Sequence, residues 1–186
     1  MKRLFDLISA IILIFVLLIP LLLIAIMIRI SSRGSVLYWS ERIGVDNSLF
    51  LMPKLRSMKI NTPEIASHLF SNPDQYLSPI GGFLRRYSLD EIPQLYSILK
   101  GDMSFVGPRP ALYNQEDLIE LRIQNNTMHL IPGLTGWAQV NGRDELSIIE
   151  KVKFEVEYMQ NQSFAFDIKI LWMTFIRVIR KHGVSH

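Results

Sequence analysis

No cysteine occurs in the 186 residues, which excludes disulfide frameworks and every thiolate-based zinc or redox site. The four histidines, His68, His129, His182 and His186, show no metal-ligand spacing and read as structural or surface residues. Charge of one sign is also scarce: 20 Lys+Arg against 17 Asp+Glu leave a net charge of +3. That balance lacks the basic footprint of a nucleic-acid binder, so nucleic acid is not an expected partner. The sequence has no P-loop, kinase signature or dinucleotide fingerprint, and no internal repeat or low-complexity stretch. The length is that of one domain with an appended segment, enough to bury a real core.

The first thirty residues hold a large share of the apolar side chains. Residues 4–28 are interrupted only by Asp6, Ser9 and Pro20. As a helix they span roughly 37 Å, enough to cross the hydrocarbon layer with some tilt. The run is too long for a signal peptide, and no small-residue cleavage site precedes the Arg29–Arg33 region. Two features favour a helix that turns back instead of crossing. Lys2 and Arg3 precede the run and Arg29 and Arg33 follow it, so the positive-inside bias gives no asymmetry. Pro20 removes a backbone hydrogen bond in mid-run and kinks a helix there. On the residues alone, crossing and re-entry both remain open.

Residues 36–43 and 49–58 read as two strands joined by a turn at Gly44-Val45-Asp46-Asn47. Residues 61–79 are polar and proline-punctuated, suggesting loops with a short helix. Over 90–100, Ile92, Leu95, Tyr96 and Leu99 recur at helical spacing, and Gly101 stops the run. A further helix is expected over 113–125, followed by a glycine-rich loop region at 132–142. Ser147 and Glu150 form a capping-box signature opening a helix to about 160. The last expected helix, 166–182, carries Ile168, Leu171, Trp172, Phe175, Ile176 and Ile179 on one stripe, with Lys169, Arg177, Arg180 and Lys181 largely off it. Such a helix can lie in a membrane interface, or its stripe can pack on the core.

Chemistry concentrates between residues 85 and 110. Pro93 suits a first helical turn, which makes Asp90 the expected N-cap. That position is an ordinary capping role, but it also keeps a carboxylate ionised where backbone donors meet a phosphate. Glu91 is about 100° further round the helix, so the two carboxylates can frame one site or share a divalent metal. Arg109 lies between Pro108 and Pro110, which restrict the backbone beneath a potential phosphate clamp. Lys54 and Arg56 share one face of the second strand, and Arg85 and Arg86 lie just upstream of Asp90. Each cation alone suits a solvated surface. Together the parts suggest phosphoryl transfer.

The chain resembles the monotopic phosphoglycosyl transferases, the bacterial sugar transferase family. The resemblance rests on Glu41-Arg42-Ile43-Gly44, Lys54-Leu55-Arg56-Ser57-Met58, Ser88-Leu89-Asp90-Glu91-Ile92-Pro93-Gln94-Leu95, Gly107-Pro108-Arg109-Pro110, Pro132-Gly133-Leu134-Thr135-Gly136-Trp137-Ala138-Gln139 and Asp167-Ile168-Lys169. These cover nearly the whole chain in family order. The resemblance implies an α+β fold, mostly helical. Its parts are a re-entrant membrane helix kinked at Pro20 (residues 1–33) and a catalytic domain on the cytoplasmic face (34–186), with a small antiparallel β-hairpin and amphipathic interfacial helices. It implies transfer of a sugar 1-phosphate from a UDP-sugar to undecaprenyl phosphate, with UMP released and a covalent intermediate on Asp90. Mg²⁺ is the implied cofactor, held by Asp90 and Glu91, and Glu91 would bind metal or handle the acceptor proton. Lys54, Arg85, Arg109, Gln139, Arg143 and Asp167 are implied substrate or phosphate contacts. The bacterial inner membrane is the implied location, its lipid and downstream glycosyltransferases the further partners. Some positions depart from the family pattern: Ile19 precedes Pro20 where Ser is usual, Ser35 follows Gly34 where Pro is usual, Ser40 replaces Gln, and Glu155 replaces Asp. Larger family members carry extra N-terminal membrane helices, so this chain looks like the minimal catalytic form. The sugar stays open, an N-acetylated deoxyhexose fitting the compact form and galactose or glucose the alternative. Two rivals fit less well. An inert anion- or lipid-binding module needs no paired carboxylates beside Arg109, and a polytopic transferase needs many more spanning helices.

Overall fold

The structure is a computed structural model describing every residue except 61, 64–71, 143–144 and 181–186. It is mostly helical, with a small two-stranded antiparallel sheet, as the sequence implies.

Helix α1 (Lys2–Ser31) is helical throughout, Pro20 included. Its best window has a mean hydropathy of 3.5, and among the described residues it is the one helix long and apolar enough to cross a membrane. One stripe at spacings of three and four residues faces the rest of the chain. Asp6 and Ala10 begin it, Ile14 and Leu17 continue into the main core, and Leu21, Ile24 and Ile28 enter a second cluster with Leu55 and Leu84. The opposite side, with Phe15, Val16, Ile19 and Leu23, stays exposed.

Strands β1 (Leu37–Ile43) and β2 (Leu49–Leu55) pair antiparallel from Leu37↔Leu55 to Ile43↔Leu49. Asp46 and Asn47 take left-handed backbone angles in the turn, as short polar side chains can. The register puts Tyr38, Ser40, Arg42, Phe50, Met52 and Lys54 on one face. Arg56 lies just past β2. Instead of extending the face of Lys54 it donates to the carbonyls of Ser32 and Arg33, where α1 ends.

Helix α2 (Gly81–Arg86) leads to the segment expected to be a single helix capped by Asp90. That expectation is corrected. Leu89–Gln94 is a 3₁₀ turn whose N-cap is Ser88, at φ 53°, and Asp90 sits inside the turn, making no capping hydrogen bond. Pro93 supplies the reason. In an α-helix capped by Ser88 the N–H of residue 93 would bond the Leu89 carbonyl in the first turn, and proline has no N–H. The chain winds tighter, and α3 (Leu95–Lys100) begins beyond it, ending at Gly101 with φ +105° as expected.

Strands β3 (Ser104–Val106) and β4 (Gly133–Thr135) pair in parallel, an element too short to announce itself in sequence. Their ends cross at van der Waals limits. A Cβ on Gly107 would lie 2.1 Å from the Ile131 carbonyl oxygen, and one on Gly133 would lie 2.1 Å from the Gly107 nitrogen. Helix α4 (Glu116–Gln124) lies between them in sequence and is shorter than expected. Helix α5 (Ile148–Gln160) opens on the Ser147–Glu150 capping box, and α6 (Phe164–Arg180) follows. Helix α6 buries Asp167 and Ile170, whereas Ile168, Trp172 and Phe175 point outward. These three members of its apolar stripe are therefore not core residues.

Candidate active site

The face of β2 that carries Lys54 meets the 3₁₀ turn that carries Asp90 and Glu91, and both carboxylates are buried. Glu91 Oε1 accepts a hydrogen bond from Arg109 Nη2 at 2.7 Å and lies 3.5 Å from Lys54 Nζ. Arg109 is delivered from the turn after β3, and Arg85 from the last turn of α2. The structure thus brings together Lys54, Arg85, Asp90, Glu91 and Arg109. It adds Arg42, which sequence reasoning passed over. Arg42 donates to Ser40 Oγ at 3.0 Å and to the Pro110 carbonyl at 3.2 Å, and its charge acts on Lys54. The signal was present, because the hairpin register gives residues 42 and 54 the same face.

Burial dominates the electrostatics. It lowers the Lys54 pKa to about 8, with Arg109 and Arg42 adding to the fall and Glu91 and Asp90 opposing it. The Asp90 carboxyl is pushed above the usual carboxylate range, first by burial and then by Glu91, while Lys54, Arg85 and Arg109 pull the other way. The contrast with the other buried acids is sharp. Asp6 accepts from Ser104 Oγ and the Phe105 N–H. Glu155 takes both arms of Arg122, and Asp167 is held by Lys2 and Tyr158. Among the described residues, Asp90 alone of these buried acids makes no hydrogen bond or ion pair. It faces cations without being neutralised by one.

Other expected site residues lie elsewhere or stay partly unengaged. Asp167 Oδ2 accepts from Lys2 Nζ at 2.8 Å and Oδ1 from Tyr158 OH at 2.6 Å, in a cluster that also takes in the Val106 carbonyl. Burial, then Asp167, holds the Tyr158 phenol far above its usual range. Gln139 opens the short 3₁₀ turn 139–141 near Gly136, and neither end of its buried amide has a partner among the described residues. Arg143 lies outside the described residues. No group of three or more potential ligands forms a metal cage among the described residues. Mg²⁺ needs no such cage: it is commonly held by one or two carboxylates plus substrate phosphates, and Asp90 with Glu91 fits that donor set.

Comparison with known proteins shows the family. The model of the family described as bacterial sugar transferase matches residues 1–181. This chain belongs to the bacterial sugar transferase family. Its relatives include a protein named "Undecaprenyl-phosphate glucose phosphotransferase" from Komagataeibacter xylinus, 38% identical over 96% of this chain and 36% of the relative. The "Uncharacterized sugar transferase EpsL" of Bacillus subtilis (strain 168) is 37% identical over 100% of this chain and 90% of its own length. The "UDP-glucose:undecaprenyl-phosphate glucose-1-phosphate transferase" of Escherichia coli (strain K12) is 37% identical over 95% of this chain and 40% of the relative. The chain therefore spans well under half of two of these relatives and most of the third.

Proposed function

We propose that this transferase moves a sugar 1-phosphate from a UDP-sugar to undecaprenyl phosphate in two displacements at Asp90. The observation that carries the reading is a buried carboxylate that has no hydrogen-bond partner among the described residues and faces Lys54, Arg85 and Arg109. In the first displacement an Asp90 oxygen attacks the β-phosphorus. The bond from that phosphorus to the bridging oxygen breaks, UMP leaves with the bridging oxygen, and an aspartyl phosphosugar remains. In the second, a phosphate oxygen of undecaprenyl phosphate attacks the same phosphorus, giving the sugar diphospholipid and freeing the carboxylate. Lys54 and Arg109 offset the charge that develops on the phosphoryl oxygens. Bound Mg²⁺ would supply further neutralisation of the diphosphate, held by Asp90 and Glu91. Relatives named for glucose transfer favour a hexose over an N-acetylated sugar.

Membrane placement follows the same proposal. Lys2, Arg3 and Asp6 bind the domain at one end of α1, and Arg56 binds its other end. The stripe from Ala10 to Ile28 is covered by the same chain. A helix held this way at both ends fits one that enters and leaves a single leaflet, the cytoplasmic face of the inner membrane, with α6 presenting Trp172 and Phe175 to the interface.

The test uses the full chain in detergent with Mg²⁺ and a UDP-sugar panel, without polyprenyl phosphate. A burst of at most one equivalent of UMP is expected, with the mass of one phosphosugar added at Asp90. Chelation should stop it and Mg²⁺ restore it. An adduct on Glu91, or UMP release that needs lipid and leaves no adduct, overturns the covalent role of Asp90.

A further inference from the structure

The turn that carries Arg109 is held more firmly than its prolines require. Pro108 and Pro110 fix their own φ angles, but they do not set the orientation of the peptide planes around Arg109. Hydrogen bonds do. The Pro108 carbonyl accepts from the Gly133 N–H at 2.8 Å, and the Pro110 carbonyl from Arg42 at 3.2 Å. Between them, the Arg109 carbonyl accepts from Arg122 Nη2 at 2.8 Å. Arg122, on α4, is itself locked by Glu155 on α5, through Nε at 2.8 Å and Nη2 at 2.5 Å. Both side chains are buried, at 9% and 4% exposure.

A buried ion pair is a poor way merely to join two helices, because well-packed apolar side chains of similar volume do as well or better. A guanidinium adds something an apolar pair cannot, a rigid fork that bonds a carboxylate and still donates to a chosen carbonyl. We propose that Arg122 and Glu155 are a positioning pair that presets Arg109 for the phosphoryl group. It does so by fixing the Arg109 peptide plane so that the guanidinium rests on Glu91, and it rests on the phosphotransfer reading above. Neither residue is asked to touch substrate. Loss of the pair lets the Arg109 head drift, and a misplaced charge-stabilising donor loses much of its effect on rate.

The experiment replaces both members at once, Arg122→Met with Glu155→Leu, so that no unpaired charge is left buried. Thermal stability should be unchanged or raised. The kcat/KM for UMP release should fall by about tenfold, and the affinity for Mg²⁺-pyrophosphate, measured by calorimetry, should fall with it. The same double replacement made on Arg109→Ala should cost less than about twofold more, because its route to the site has already been removed. Unaltered turnover and pyrophosphate affinity in the apolar pair overturn the proposal, as does a full additional loss on Arg109→Ala. If the apolar pair does not fold, Arg122→Lys takes its place. Its ammonium keeps the ion pair but lacks the fork that also reaches the carbonyl, and the same comparison on Arg109→Ala is read. A wild type that turns over no UDP-sugar sinks the functional reading alone, and the pair is then judged on pyrophosphate affinity.

Discussion

Two clusters of acids and bases flank the segment from Val106 to Arg109, built from nearly the same residue types. In one, Lys2, Tyr158 and Asp167 satisfy one another, and the lysine uses its three donors on the Val106 carbonyl, the phenol and the carboxylate. In the other, Glu91 is paired but Asp90 has no partner among the described residues, although four charged neighbours act on it. The closed cluster ties the start of α1 to the domain. The open one is left with a carboxylate whose charge the fold does not favour. A reactive group must keep free lone pairs for substrate, and stability is forgone where that freedom is kept.

Asp90→Asn should break the contrast most severely. UMP release should fall on the order of a thousandfold or more, since an amide is a poor nucleophile. Stability should move the other way. The Asp90 pKa is higher folded than unfolded, so the favourable, protonated form is present at low pH and lost as pH rises through the folded value. Above that value the ionised group burdens the fold, and the asparagine variant should melt no lower than wild type. A clear drop in its melting temperature without ligand would count against this account. Gly107→Ala, at the crossing that sets both clusters, should cost about 3 kcal/mol in chemical unfolding, because its Cβ would meet backbone that cannot step aside. Lys2→Ala should cost about 2 kcal/mol, less than a fully buried pair, since the Lys2 side chain is 26% exposed. Ser147→Ala lies away from both clusters and removes only the α5 cap, about 1 kcal/mol, with turnover kept. A Lys2→Ala effect no larger than that would mean the closed cluster contributes little to the fold.

Much of this architecture was legible in the chain. The apolar run, the hairpin with its turn at residues 44–47, the Gly101 stop and the Ser147–Glu150 box are local signals, and each stands close to where the sequence puts it. The carboxylate pair and its cations were legible as residue types in a phosphoryl-transfer pattern. Asp90 as a cap was misread, because Pro93 suits an α-helical first turn in isolation but here the chain winds into a 3₁₀ turn. The outward face of α6 was left undecided, because periodicity gives a stripe without saying what covers it.

Sequence by itself determined that the chain carries one membrane-length apolar helix, a hairpin and an adjacent acidic pair, since these depend on residues close together along the chain. Tertiary structure decided which acids are neutralised. Asp6, Asp90, Asp167 and Glu155 look alike in sequence, and three of them acquire partners between 9 and 165 residues away along the chain. The 3-residue β3–β4 pairing, the glycine crossing and the Arg122 bond to the Arg109 carbonyl are likewise long-range. Periodicity records which side of an element is apolar. Which distant donor reaches a given carboxylate depends on how the elements pack, and no local pattern encodes that.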